Sequence, residues 1–313
     1  MASDRGHINQ ALTNYAAGIA KNMDGMFIAD QVAPPITVPN MSDAYWVMGD
    51  DELRNDMDII ALGGDVPRVT FAESDDTYKC LEYGQETVLK KALLANSDSA
   101  VRYQQRRAAG LVTKVKLALE VRVAALFADA GTLTQTSALA AADRWDVDTS
   151  DPVGQAMTAS ETVRGSIGAV PNTLVLGPHA YAHIRLHSAV TSRLAGLVAG
   201  TAATDAQIAS VFGVDRILVG RATKFTSVEG ATKARGDVWS KIAVFCYIEP
   251  NPNGAVEGAI GPYQRFRYTG FMPEFGTYEY DEGALKRILG VYACYDLKAI
   301  AANSAYLYTT VVG

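Results

Sequence analysis

The strongest hydrophobic periodicity in the chain lies between Ser97 and Gly131. Ala108, Leu111, Val112, Val115, Ala118, Leu119, Ala125 and Leu126 recur there at three- and four-residue steps. That spacing places them on one stripe of a helix. Ser97, Asp98 and Ser99 offer capping oxygens at its start, and Ala130-Gly131 supplies a stop. Arg102, Arg106, Thr113, Lys116 and Glu120 are expected on the opposite side, with Lys116 and Glu120 spaced for an i,i+4 contact. At 1.5 Å per residue the pattern predicts a rod about 45 Å long, well beyond the usual three to four turns. Such an element is a beam rather than a catalytic part. Gly110 interrupts it at a cost of about 1 kcal/mol against alanine, which suggests a bend or a close backbone crossing.

Before this helix the pattern is different. A short helical stretch, Ile8 to Met23, leads into FIADQVAPPITVPN, where Pro34, Pro35 and Pro39 force extended backbone and exclude an interior strand. Alternating residues predict strands at Ala44–Met48, Val66–Phe71 and Thr77–Leu81. The stretch between the first two, GDDELRNDMDIIALGGD, has little to bury and suggests a projecting hairpin. After the helix a polar connector runs to Asp151-Pro152. Helices are then expected over Val153–Ile167, from Pro178 to about Leu197, and in TDAQIASVFG. They alternate with strands in PNTLVLG, Arg216–Val219 and Lys241–Glu249, with a loop over Arg221–Gly236. That alternation marks an α/β unit. The tail predicts two strands joined across Lys298–Asn303, preceded by Tyr263, Phe266, Tyr268, Phe271, Phe275, Tyr278 and Tyr280 within eighteen residues.

Composition narrows the class. A chain of 313 residues, 49% hydrophobic and 20% charged, can bury a core and is not disordered. No apolar run reaches membrane-spanning length, and the N-terminus lacks the pattern of a signal peptide. Cys80, Cys246 and Cys294 are odd in number and far apart, so folding in a reducing cytoplasm is expected. The net charge of −6 is unevenly placed. Between Asn22 and Val88, fourteen acidic residues face three basic ones; between Leu89 and Arg122, eight basic residues face two acidic ones. The plain interpretation is two solvated faces; the sharper one is an acidic segment lying on a basic helix, its own or a neighbour's.

Catalytic chemistry finds little support. His179, His183 and His187 share a face if one helix carries them, and the first pair has zinc-ligand spacing. No glutamate stands between them to act as base, and Arg185 opposes a cation, so a metal-binding enzyme is the weaker reading. The aromatic cluster with Arg265 and Arg267 could stack single-stranded bases, but Glu274, Glu279, Asp281 and Glu282 oppose a phosphate backbone. Phosphate loops and a GxSxG elbow are absent. No enzyme and no cofactor are expected.

Five stretches carry a resemblance to tailed-phage major capsid proteins of the Hong Kong 97 fold. These are ALTNYAAGIAKNMDGMFIADQVAPPITVP, then TYKCLEYGQETVLKKALLANSDSAV, then LALEVRVAALF with DRWDVDTSDPVGQAM, and PNTLVLGPHAYAHIRLHSAV. Together they span most of residues 11–190, and the closing SAYLYTTVVG also looks similar. The resemblance implies an α+β chain with an N-terminal arm (1–37), an extension loop (38–92), and a peripheral domain holding a spine helix (93–150). An axial α/β domain (151–269) and return strands (270–313) complete it.

The resemblance also implies hexamers and pentamers closing an icosahedral shell, assembled in the host cytoplasm, around double-stranded DNA contacted non-specifically. Scaffold, portal and decoration proteins are possible partners; a long scaffolding segment of the kind some relatives carry is not recognised. The family implies that the extension loop lies over a neighbour's peripheral domain. Asp50, Asp51, Glu52, Asp56 and Asp58 are then expected to meet Arg102, Arg106 and Lys116. Reversing those three cations should block assembly without unfolding the subunit. Relatives that weld loop to neighbour use a lysine, whereas Gly49–Asp65 holds only Arg54, so a non-covalent shell is expected. An encapsulin-type compartment, which shares the fold, is the nearest alternative.

Overall fold

In the computed structural model, residues 25–48, 73–96, 100–194, 202–249, 261–270 and 272–313 are described, with 7–8 and positions 14, 18, 55, 57, 59, 60, 65, 66 and 68. The arm supplies β1 (His7–Ile8), α1 (Ala29–Val32) and β2 (Pro35–Val38). Strands β3 (Ser42–Met48) and β4 (Glu73–Lys79) pair as an antiparallel hairpin, and β5 (Leu81–Lys90) follows after Cys80. Then come α2 (Lys91–Ala95), α3 (Ala100–Phe127), β6 (Gln135–Ala138) and α4 (Pro152–Ile167). Next are β7 (Thr173–Leu176), α5 (Pro178–Ile184), α6 (Ser188–Thr191), α7 (Asp205–Phe212), β8 (Arg216–Val219), β9 (Thr223–Phe225), β10 (Arg235–Asp237) and β11 (Ala243–Cys246). The chain closes with β12 (Tyr263–Tyr268), β13 (Gly276–Glu282), β14 (Lys286–Ala299) and β15 (Ala305–Thr309).

Two sheets organise these parts. The first is built on β14, whose fourteen residues pair with β5 along one side. Along its other side β13 and β12 pair end to end. The arm joins that side twice, β1 against β13 and β2 parallel to β12. Parallel β2 begins at Pro35 at the sheet's rim, where a missing N–H is tolerated. The second sheet runs β6-β15-β11-β7-β8. Its central strands TLVL and AVFC are buried throughout, as a sheet covered on both faces requires.

The long helix forms as its periodicity predicts, 28 residues without interruption. Its buried line is Ala108, Leu111, Val112, Val115, Leu119, Val123, Ala124 and Phe127, packed in one core with Leu289, Val291, Ala293 and Tyr295 of β14. Ala118 and Ala125, expected in that stripe, are exposed instead. Phe127 meets Tyr263 at 4.8 Å between ring centroids, and the Tyr263 hydroxyl donates to the Leu126 carbonyl at 2.7 Å. A second core surrounds Trp145, Leu174, Leu176, Ile184, Phe212, Phe245 and Tyr308.

Several expectations shift. Tyr263–Tyr268 pairs with β14 in the first sheet, and Ala305–Thr309 pairs with β11 in the second. The expected strand Val66–Phe71 lies largely outside the described residues, and Val66 and Arg68 are not in a strand. The loop Arg221–Gly236 contains a small hairpin, β9 with β10. The helix expected from Pro178 to Leu197 stops at Ile184 and restarts at Ser188.

Candidate interface: the long helix, the arm and the open groove

The inner flank of α3 holds the arm. Glu120 is fully buried. Its carboxylate accepts from the backbone N–H groups of Ile28 (3.1 Å) and Ala29 (2.8 Å) and from the Trp239 indole N–H (2.5 Å). The first turn of α1 leaves its N–H groups without intrahelical partners, and this carboxylate satisfies two of them. Burial pushes the Glu120 carboxyl above the usual range, opposed by the Trp239, Ile28 and Ala29 donors.

One turn earlier, Lys116 is only 5% exposed and lies 3.5 Å from Asp30 of α1. Asp30 also accepts from Arg265 at 2.7 Å, and Arg265 pairs with Glu274. Arg267 reaches Glu274 at 3.1 Å and donates to the Thr37 hydroxyl at 2.7 Å. The arm is thus fixed to its own subunit by a network that crosses α1, α3, β2 and β12.

This corrects the expectation that Lys116 and Glu120 lie on an exposed face, paired with one another. They face inward because the arm presents Asp30 and unpaired N–H groups to that side of α3. A rule that places charges outside cannot see such a demand. Lys116 is therefore engaged by its own subunit's arm rather than offered to a neighbour.

The outer flank of α3 stays open. Arg102, Arg106, Arg107 and Lys114 are exposed. Between this flank and β5 runs a groove of about 640 Å³, lined by Gln85, Glu86 and Thr87 and by Tyr103, Arg106, Arg107, Gly110, Leu111 and Lys114. Arg107 lies 5.2 Å from the Tyr103 ring centroid and donates to its hydroxyl at 3.2 Å. Glu86 is engaged on the opposite sheet face, accepting from the Tyr278 hydroxyl at 2.8 Å. A Cβ placed on Gly110 meets nothing within 4 Å, so among the described residues no backbone crosses the helix there. Asp50, Asp51, Glu52, Asp56 and Asp58, the expected acidic counterparts, lie outside the described residues.

The three histidines are dispersed. His179, 60% exposed, sits 3.0 Å from Asp237 of β10, and His183 is exposed on α5. His187 is 3% exposed and belongs to the break between α5 and α6. Its Nδ1 accepts from the Ala189 N–H at 3.1 Å, and its Nε2 lies 3.1 Å from the Val147 carbonyl and from Ser150 Oγ. This bonding pattern assigns the ring proton to Nε2. His187 therefore caps α6 and ties it to the connector, leaving no lone pair for a metal.

Among the described residues no group of three or more His, Cys, Asp or Glu could hold a metal ion. His187→Ala is expected to cost about 2 kcal/mol, from a lost cap and an unpaired carbonyl, measurable by urea denaturation. The cysteines are buried as well. Burial pushes Cys80 up to about 11 and Cys246 up to about 12, away from nucleophilic chemistry. No helix among the described residues is long and apolar enough to cross a membrane.

No family model matches the chain. A curated major capsid protein of Burkholderia phage BcepMu is 29% identical over 110 residues, which spans 35% of this chain and 34% of that protein. A phage-related protein from Bordetella bronchiseptica RB50 superposes with a TM-score of 0.75 at 21% identity, covering 98% of each chain. The capsid structure of cyanophage P-SCSP1u gives a TM-score of 0.60 at 10% identity, covering 90% of this chain and 87% of that one. The SrpI encapsulin complex of Synechococcus elongatus PCC 7942 gives 0.50 at 10% identity, covering 90% and 86%. With its two sheets, its long helix and its docked arm, the chain has the Hong Kong 97 fold of phage major capsid proteins.

Proposed function

We propose that this chain is the major capsid subunit of a tailed bacteriophage. Copies pack as hexamers and pentamers into an icosahedral shell, assembled in the host cytoplasm, that encloses double-stranded DNA in the virion. The observation that carries the reading is the division of α3 into two flanks. One is consumed by the subunit's own arm, through Glu120 and Lys116. The other keeps Arg106, Arg107 and Lys114 exposed beside a groove. A solitary folded subunit has no use for an open basic groove, whereas a shell subunit must offer surfaces to its neighbours. The part-length sequence match to a phage capsid protein supports the same reading.

In this reading the subunit is structural and needs no cofactor. DNA contacts are phosphate-directed and independent of sequence. Scaffold, portal and decoration proteins act as separate partners. Shells are held together without covalent links, because Gly49–Asp65 contains no lysine. Boiling purified particles in detergent is expected to release one band near 33.4 kDa. A ladder of linked species contradicts that expectation.

An encapsulin-type compartment is the second reading, favoured by the shared fold of the cyanobacterial shell. The contents of purified particles separate the two. Nuclease-protected DNA supports the capsid, and a co-purifying enzyme supports the compartment.

A further inference from the structure

We infer that the β9–β10 hairpin, with the side of α5 next to it, is a contact surface for the phosphate backbone of double-stranded DNA. The inference rests on the shell-subunit reading and adds to it the residues that meet the nucleic acid.

The hairpin stands apart from the two large sheets, as a two-stranded sheet of its own. Two strands alone bury little and are marginal in water. The register sets Phe225 opposite Arg235 and Thr223 opposite Asp237, which puts these four side chains on one face. That face is open to solvent, with Phe225 54% exposed. Residues 221–237 hold Arg221, Lys224, Lys233 and Arg235 against Glu229 and Asp237, within a chain whose net charge is −6. Asp237 lies 3.0 Å from the His179 imidazole of α5, so one of the two acids is already engaged. The surface is therefore a basic island on an acidic chain.

Two of its cations are held by aromatic rings rather than by carboxylates. The Arg235 guanidinium lies 5.2 Å from the Phe225 ring centroid. Two residues before β9, the Arg221 guanidinium lies 5.5 Å from the Tyr181 ring centroid, and Arg185 approaches the same ring at 5.3 Å. The Tyr181 hydroxyl donates to Asp205, which fixes that ring. Among the described residues neither the Arg221 nor the Arg235 guanidinium has a carboxylate or hydrogen-bond partner. Arg164, Arg265, Arg267 and Arg287, in contrast, each meet a carboxylate. Cation–π attraction positions a guanidinium without consuming its five N–H donors. Those donors remain for phosphate oxygens, which the planar fork binds in pairs.

Spacing fits a duplex. The ladder continues past β10, with the Thr226 N–H donating to the Ala234 carbonyl at 3.1 Å. Exposed Lys233 thus falls on the same side as Arg235 and adds a third charge. From Arg221 to Phe225, the partner of Arg235, the extended chain spans about 13 Å at about 3.3 Å per residue. That covers about four steps of a duplex at about 3.4 Å each, so the two arginines reach different phosphates. With guanidiniums on both rings, stacking of unpaired bases is disfavoured, and backbone contact is what remains.

The test is fluorescence anisotropy of a labelled random-sequence DNA duplex, titrated with full chain below its assembly concentration. The parent chain carries Arg106→Gln, Arg107→Gln and Lys114→Gln, so that the α3 flank does not compete for phosphate. It is expected to bind with a slope of log affinity against log salt of about −3, three phosphates at about −0.9 each. Adding Arg221→Gln and Arg235→Gln is expected to weaken binding at least tenfold at low salt and to flatten the slope by about two, with the circular dichroism unchanged. Adding Arg221→Lys and Arg235→Lys instead is expected to keep the slope. A parent that fails to bind, a glutamine pair within threefold of its parent, or a lysine pair that loses as much as the glutamine pair overturns the inference. Displacement of the duplex by poly-glutamate at equal charge overturns the assignment to nucleic acid and makes an acidic protein the partner. Shell formation by the wild type is scored separately. Shells without hairpin-dependent binding overturn the DNA contact and leave the shell reading standing. Hairpin-dependent binding by a chain that forms no shells contradicts the shell reading alone.

Discussion

Glu120→Ala is expected to lower the unfolding free energy by about 4 kcal/mol, because three buried donors lose their acceptor and each costs about 1–3 kcal/mol unpaired. The donors are the N–H groups of Ile28 and Ala29 and the Trp239 indole, all bonded to one carboxylate. Glu120→Gln keeps one oxygen but turns an amide N–H₂ toward a donor, and about 2 kcal/mol is expected to be lost. Urea denaturation of the unassembled subunit measures both. A loss below about 1 kcal/mol for the alanine variant is what an exposed surface position gives, and it would contradict the burial of Glu120.

The pH dependence has a definite sign. The folded-state value of Glu120 lies above its ordinary one, so the folded chain holds that proton more tightly than the unfolded chain does. Its contribution is complete below the ordinary glutamate value and is lost as pH rises through the raised one. The wild type should therefore lose stability relative to Glu120→Gln across that window, and the difference between them should be flat outside it.

The second large effect concerns assembly. Reversing Arg106, Arg107 and Lys114 to glutamate is expected to abolish shells while changing subunit stability by no more than about 1 kcal/mol, since exposed charges contribute little to folding. Lys116 must be left out of such a variant. It lies 3.5 Å from Asp30 and is almost fully buried, so Lys116→Glu sets two carboxylates against each other inside the subunit. That variant fails by misfolding and reveals nothing about neighbours. Analytical ultracentrifugation separates the outcomes: folded, unassembled subunits from the triple reversal, and aggregated or unfolded chain from Lys116→Glu. Shells of normal yield from the triple reversal contradict an electrostatic role for this flank.

Much of the architecture was legible from pattern alone. The long helix, α4, α7, β7 and β8 follow from periodicity, caps and prolines, because each is decided by local chemistry and by burial of one face. Asp151 accepts from the Gly154 N–H with Pro152 at the first helical position, a start the sequence declares by itself. The helix predicted through His187 failed for a tertiary reason. That ring leaves the helical path to bond Val147 and Ser150, forty and thirty-seven residues away, and no local pattern encodes such a partner.

The site was half legible. The surplus of cations near α3 was visible in the sequence, but their division between two flanks was not. Lys116 and Arg122 resemble Arg106 in a count of charges, yet Lys116 serves Asp30, and Arg122 lies 3.8 Å from the Tyr83 ring centroid. Asp30 and Trp239 went unnoticed because their partners lie far away in the chain. Glu120 gave no local signal, because its spacing from Val115 and Leu119 sets it off the apolar stripe, and the N–H groups that turn that side inward come from the distant arm. Gly110 neither bends nor breaks the helix, which runs unbroken over Ala100–Phe127.

Negative-stain electron microscopy of the purified wild-type chain tests the central claim most directly. Closed shells tens of nanometres across, with hexamers and pentamers visible in class averages, are the predicted result. A monodisperse monomer or small oligomer, at every concentration and salt at which the chain stays folded, would contradict it.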